Sequence, residues 1–90
     1  MSRPEATAFA RQEMLEEGET LKRSETIGPF VVALVALPGG GYENRAAQPA
    51  VIGRGRRSSL PLVNTVETYG PSRYAAAARR FNSLVDEELA

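Results

Sequence analysis

The sequence predicts a small α+β domain: an N-terminal helix, a sheet of three or four strands built around residues 30–37, and a C-terminal amphipathic helix. Three observations carry this prediction. The chain has 90 residues, enough for a single small domain, residues 1–90. Residues 30–37 are eight consecutive apolar residues rich in valine, which favours a strand. Apolar residues recur at three- and four-residue spacing near the C-terminus, which is typical of a helix packed on one face.

The first element is predicted to be a helix over residues 2–17. Ser2 and Glu5 have the spacing of a capping box, in which each side chain bonds a free backbone N–H of the first turn. Gly18 is a suitable C-terminal stop. The apolar stripe of this helix is narrow, so we expect residues 1–18 to need a surface on which to dock.

Residues 19–27 alternate between two sets of side chains, which favours an exposed edge strand or an extended arm. A helix that continues through Gly18 is the alternative. Residues 30–37 follow Gly28 and Pro29, and both faces of that strand are apolar. A strand that is apolar on both faces has to be covered on both faces.

Residues 38–60 are predicted to form a flexible loop region rich in glycine and arginine, in which residues 50–52 could form a short strand. β-Branched residues predict a second clear strand over residues 62–69. The final helix is predicted to follow the Gly70-Pro71 turn. Its apolar face consists of Tyr74, Ala77, Ala78, Phe81, Leu84, Val85 and Leu89.

The composition disfavours catalysis. The chain has no histidine and no cysteine, so the commonest general base and the most reactive nucleophile are missing. The carboxylates cluster near the predicted helix ends, where solvated charge is the ordinary role. Residues 39–41 are three glycines after a strand, but no nucleophile or phosphate-loop motif follows them. We therefore expect a protein that is not an enzyme and binds no metal or cofactor.

Arginines form the strongest polar signal. Residues 31–60 carry four arginines and one acidic residue, Glu43, although the whole chain has a net charge of zero. Guanidinium groups suit phosphates or the carboxylates of a partner protein. Arg45 and Arg73 would extend this group if the fold brought them close. The predicted binding residues are Arg54, Arg56, Arg57, Arg79 and Arg80.

The sequence leaves open what covers the apolar strand, because one helix and a weaker second helix must cover both of its faces and the other strands supply little apolar area. We hypothesise a structural or assembly protein that packs against other protein subunits, for which a virus-like particle is one fitting context. The alternative is a small module that binds nucleic acid or phosphate, although dedicated nucleic-acid binders are usually basic overall. The predicted contact residues are Phe30, Val32, Leu34, Val35, Leu37, Tyr74, Phe81 and Leu84.

The N-terminus has no hydrophobic segment of the kind found in signal peptides. The apolar run that ends at residue 37 is too short to span a bilayer. We therefore expect a soluble protein that has no contact with membranes and is located inside a cell or a particle.

Overall fold

The structure, a computed structural model, describes residues 3–48 and 63–89. It confirms the predicted α+β class: two helices enclose a four-stranded sheet between them. The elements in chain order are α1 (Arg3–Glu13), β1 (Thr20–Ile27), β2 (Phe30–Ala36), β3 (Tyr42–Ala47), β4 (Val63–Tyr69) and α2 (Tyr74–Leu89). Residues 50–52 and 54–60, which include the predicted short strand and most of the predicted arginine site, lie outside the described residues.

The four strands form an antiparallel meander in the order β1-β2-β3-β4. The central β2–β3 ladder is regular, whereas each outer ladder contains a bulge. In β1 the extra residue is Lys22, and in β4 it is Val66. Both outer strands of this sheet therefore carry a bulge, and bulges interrupt the regular edge of a sheet.

The prediction of a continuous loop over residues 38–60 is wrong for Tyr42–Ala47, which form β3. This strand was missed because it contains Glu43, Asn44 and Arg45, which are unusual in the middle of a sheet. Its position between β2 and β4 supplies hydrogen bonds to both of its edges. Pairing on both sides therefore overrides the weak strand propensity of its sequence.

Glycines allow the tight turns on either side of β2. Gly28 has a φ of 55° and precedes Pro29 in the two-residue turn between β1 and β2, which is the Gly-first turn that suits a hairpin. Gly41 has a φ of 99° at the start of β3. A Cβ atom at Gly41 would lie 2.8 Å from the Tyr69 carbonyl oxygen, so only glycine fits between these strands.

One face of the sheet is covered by α1, which contacts β1 and β2. The buried residues in this layer are Ala6, Ala10, Met14, Val31, Ala33, Val35 and Ala47. The two alanines of the helix let its backbone approach the sheet closely. The predicted end of this helix, residue 17, is wrong: the helix ends at Glu13. The chain turns toward the sheet at Met14, whose carbonyl oxygen accepts a hydrogen bond from Arg45 on β3.

The opposite face is covered by α2, which contacts all four strands. Its buried layer consists of Ile27, Val32, Leu34, Ala77 and Phe81. Both faces of β2 are therefore covered within one chain. The cover of this strand, which the sequence left open, is supplied by α1 and α2 together.

Among the described residues, no helix is both long enough and apolar enough to cross a membrane.

Candidate functional site

The predicted contact residues do not form one surface. Val32, Leu34, Val35 and Phe81 are buried within the chain, so they are core residues and the prediction of a contact role for them needs correction. The reason is that α1 and α2 occupy the two faces that a partner was expected to cover.

The other four predicted contact residues lie nearer the surface. Leu37 and Leu84 are partly buried against the two core layers. Phe30 is 42% exposed and Tyr74 is 40% exposed. Phe30 begins β2, and Tyr74 begins α2. Only Phe30 and Tyr74 therefore remain as prominent exposed members of the predicted set.

The predicted arginine site is not assembled by the described residues. Arg54, Arg56 and Arg57 lie outside them. Arg79 is exposed on α2. The Nε atom of Arg80 is 3.6 Å from the Oε1 atom of Glu67 on β4, which forms an ion pair.

Arg45 is a buried structural residue rather than part of a phosphate-binding patch. Its Nη1 atom donates to Glu19 Oε1 at 2.5 Å and to the Met14 carbonyl oxygen at 2.9 Å. Its Nη2 atom donates to Glu19 Oε2 at 2.7 Å, and its Nε atom donates to Glu43 Oε1 at 2.8 Å. We call Arg45, Glu19 and Glu43 the charged clasp, because they join the end of α1 to the sheet.

The electrostatics of the charged clasp keep Glu19 and Arg45 ionised. The hydrogen bonds from Arg45 hold the pKa of the Glu19 carboxyl below its ordinary value, although burial opposes this effect. The bonds to Glu19, with those to Glu43, raise the pKa of Arg45 above its already high value. Every nitrogen of the Arg45 guanidinium donates to a protein oxygen, so this arginine serves the fold.

A cleft of about 360 Å³ opens beside the charged clasp, because α1 does not extend over β3 and β4. Its polar lining includes Glu13, Glu16, Glu43 and Thr65. Within residues 3–48 and 63–89, no group of acidic side chains is arranged to hold a metal ion. The cleft is therefore a surface depression whose lining contains three carboxylates and Arg45.

All three tyrosines of the chain meet at the opposite face, near the start of α2. Tyr42 and Tyr69 are paired across β3 and β4, and the Tyr42 and Tyr74 rings make an edge-to-face contact at 5.1 Å. The Tyr69 hydroxyl donates to Glu67 Oε2 at 2.6 Å. Burial, together with Glu67, raises the pKa of Tyr69, so its hydroxyl stays protonated and acts as a donor. These contacts stabilise the packing of the three tyrosines near the start of α2. They leave no activated nucleophile among these tyrosines.

Asn44 is a fully buried polar residue that fixes α2 on the sheet. Its Nδ2 atom donates to the Ala77 carbonyl oxygen at 3.0 Å. Its Oδ1 atom is buried and accepts no hydrogen bond. The hydrogen bond from this buried amide to Ala77 specifies the position of the helix, although burying the oxygen has an energetic cost.

The outer edges of the sheet are formed by β1 and β4. In the described part of the chain, β1 and β4 each pair with one strand only. Residues 64–68 of β4 are exposed, and Glu67 is the one charged residue of that strand. Val66, the extra residue of its bulge, is 37% exposed. The β1 edge instead carries Lys22 and Arg23, which are both exposed.

Comparison of the chain with protein-family models, curated proteins and solved structures finds no match.

The sequence contained a signal for the polar residues that were missed. Tyr42–Ala47 place Glu43 and Arg45 on one face and Asn44 on the other, with the two-residue period of a strand. Opposite charges two residues apart on one strand face lie close enough to pair, as Arg45 and Glu43 do. Nothing in the local sequence pointed to Glu19, because its contact with Arg45 spans 26 positions.

Proposed function

We propose that this protein is a non-enzymatic assembly protein that joins other subunits through the open edges of its sheet. A location inside a cell or a particle belongs to the same proposal. The observation that carries it is β4, which is exposed at residues 64–68 and has one unpaired edge among the described residues. A strand of this kind presents free N–H and C=O groups that can pair with another chain.

The chemistry of β4 supports this role. Its sequence is VNTVETY, in which β-branched residues dominate and Glu67 carries the one charge. Charged side chains, lysines above all, are one means by which edge strands avoid unspecific pairing. β1 contains three charged residues, Lys22, Arg23 and Glu25, so any partner of that edge has to match their charges.

The proposed contact differs from the one that the sequence suggested. The apolar faces of β2 are covered by the chain's own helices, so assembly through those faces would require unfolding. Edge pairing leaves both layers intact. Phe30 and Tyr74 lie at the starts of β2 and α2, where they would flank a partner rather than form its main contact.

Nucleic-acid binding stays a prediction from Arg54, Arg56 and Arg57. Arg45 gives it no support, because that side chain is bonded to Glu19 and Glu43.

The proposal is tested by size-exclusion chromatography with light scattering from dilute to concentrated protein. We expect a mass above the 9.7 kDa of one chain that rises with concentration. Val66→Lys should lower that mass, because a lysine on an edge strand opposes pairing. Ala8→Lys, which adds the same charge on the exposed side of α1, should leave the mass unchanged.

A wild-type protein that stays at 9.7 kDa at every concentration would contradict the proposal. Absorbance at 260 and 280 nm is recorded in the same runs. An excess at 260 nm that disappears in high salt would favour the nucleic-acid alternative.

A further inference from the structure

The geometry points to a second copy of this chain as the partner, with β4 of one copy pairing in antiparallel fashion with β1 of the next. This inference rests on the proposed function and specifies its partner. In a four-stranded antiparallel meander, the first and last strands run in opposite directions. Copies that add head to tail in the same orientation therefore continue the antiparallel order of the strands. The α1 layer of one copy also continues the α1 layer of the next.

The bulges determine which residues can lie opposite each other. In β4, Thr65 lies opposite Arg45 on the α1 face and Glu67 lies opposite Asn44 on the α2 face. Val66 is the extra residue between them. A continuous sheet requires that residues opposite each other point to the same face.

The same reasoning applies to β1. Leu21 lies opposite Val35 on the α1 face, and Arg23 lies opposite Leu34 on the α2 face. Lys22 is the extra residue. In each outer strand, the alternation of side chains between the two faces of the sheet therefore shifts once, at the bulge.

A single register matches the faces along the whole of β4 when both extra residues are left unpaired. It pairs Val63 with Thr26, Asn64 with Glu25, Thr65 with Ser24, Glu67 with Arg23, Thr68 with Leu21, and Tyr69 with Thr20 of the next copy. The two strands are seven and eight residues long, so almost all of both is used.

Charge selects this register over its neighbours. It places Glu67 directly opposite Arg23. A slip by two positions in one direction would place Glu67 opposite Glu25 and lose one pair, and a slip in the other direction would place Glu67 opposite Thr20 and lose two pairs. Opposite charges across a ladder stabilise it, and like charges destabilise it. Pairing of β4 with a second β4 about a two-fold axis also loses a pair and contains no opposite charges.

Both members of the proposed charge pair are already held on the α2 face. The Arg23 guanidinium lies over the Phe81 ring at 4.8 Å and donates from Nη1 to Asn82 Oδ1 at 2.7 Å. Glu67 is held by the Tyr69 hydroxyl and Arg80. Preorganised side chains lose less conformational entropy on binding.

The helices leave room for this arrangement. Four strands at about 4.8 Å spacing repeat every ~19 Å, and a helix with its side chains is about 10–12 Å wide. Each copy contributes one helix to each layer. A head-to-tail contact of this kind builds a ring if its rotation closes and a filament if it does not.

Two matched substitutions at Val66 test the inference. In the proposed register, Val66 lies next to the Glu67–Arg23 pair, and Lys22 of the next copy lies one position beyond Arg23. We expect Val66→Lys to weaken self-association roughly tenfold through like-charge repulsion, and Val66→Glu to weaken it far less. Since Val66 is exposed at the surface, the thermal unfolding midpoint should be nearly the same for both variants.

Pairing of β4 with β4 gives a different result. Val66→Glu would then weaken association at least as much as Val66→Lys, because it adds negative charge beside two copies of Glu67. That outcome would overturn the inference and leave the proposed function standing. A wild-type chain that never associates would contradict the proposed function itself.

A mixing experiment checks the direction of the contact. Lys22→Glu should weaken self-association by placing a carboxylate beside Glu67 of the neighbour. In an equal mixture of Lys22→Glu and Val66→Lys, the introduced carboxylate and the introduced ammonium group meet at alternate contacts, and the other contacts stay as in the wild type. Association of the mixture should recover to near wild-type affinity. A mixture no stronger than its separate components would overturn the inference.

Discussion

The two layers of this molecule cover the same strand by different means. On one face, α1 packs small alanines on β1 and β2, and the charged clasp joins its end to β3. On the other face, α2 crosses all four strands and buries Phe81. Within residues 3–48 and 63–89, α1 does not contact β3 or β4, whereas α2 contacts both. A chain of 90 residues therefore encloses a strand that is apolar on both sides with one narrow layer and one wide layer.

The two layers also differ in how they contribute to stability: the α2 layer acts through apolar burial, and the α1 side adds the buried ion pairs of the charged clasp. Burial of apolar area in the α2 layer contributes directly to the free energy of folding. A buried ion pair contributes little net stability, because desolvation of its charges offsets their attraction, yet removal of one partner is costly. The charged clasp should therefore be sensitive to single substitutions and tolerant of an apolar replacement of the whole pair.

The largest effect is expected from Phe81→Ala in the α2 layer. Phe81 is among the largest fully buried side chains, and its removal should lower the free energy of unfolding by about 3–5 kcal/mol. Chemical denaturation followed by circular dichroism measures this loss. Tyr74→Ala at the exposed start of the same helix should cost less than about 1.5 kcal/mol. Equal losses for the two variants would show that the α2 layer does not depend on Phe81.

The next effect is expected from Glu19→Gln in the charged clasp. This change leaves the buried Arg45 with Glu43 as its one carboxylate partner and should cost about 2–3 kcal/mol. Glu17→Gln, the same change at an exposed position two residues earlier, should stay within about 0.5 kcal/mol. The double variant Glu19→Gln, Arg45→Met should recover part of the loss. A double variant as damaged as the sum of its two single changes would contradict the view that the clasp stabilises little.

A smaller effect is expected from Asn44→Ala, which removes the polar tie between the sheet and α2. The loss of the hydrogen bond to the Ala77 carbonyl should cost about 1–2 kcal/mol. Asn64→Ala on the exposed strand β4 is the matched control and should stay within about 0.5 kcal/mol. If the two asparagine variants unfold at the same denaturant concentration, the tie does not stabilise the α2 layer.

The smallest effect is an acid dependence confined to the α1 side. The pKa of Glu19 is lower in the folded protein than its ordinary value of 4.5. Its contribution is therefore fully present above that value and is lost as the pH falls through the folded pKa. The free energy of unfolding should decline less steeply with acid in Glu19→Gln than in the wild type. Identical slopes in a denaturation series at different pH values would argue against an ionised clasp.

The local pattern of apolar and polar residues was sufficient to predict those elements in which each face has one kind of environment. The apolar run predicted the position of β2, and the three- and four-residue spacing predicted α2. The alternation of residues 19–27 correctly favoured a strand, which is β1. Periodicity succeeded in these elements because each one presents a consistent face to the core.

Local pattern failed where a side chain's environment depends on distant residues. Arg45 was grouped with the surface arginines, but Glu19 and Glu43 draw it into a buried cluster. Arg45 and Glu43 both belong to the polar strand β3, which was predicted from the sequence to be part of a loop. The predicted contact role of Val32 and Val35 failed for a related reason, since the sequence did not show that one helix would lie on each face.

The sequence by itself determined the α+β class, the buried strand β2 and the amphipathic helix α2, because hydrophobic periodicity is a local property of the chain. Only the tertiary structure decided which face each helix covers, that β3 inserts between β2 and β4, and that Arg45 is internal. It also decided that, among the described residues, β1 and β4 form the two edges of the sheet and each pairs with one strand. These outcomes depend on contacts between residues far apart in the chain, and their energies are settled only when charge, hydrogen bonding and packing are satisfied together.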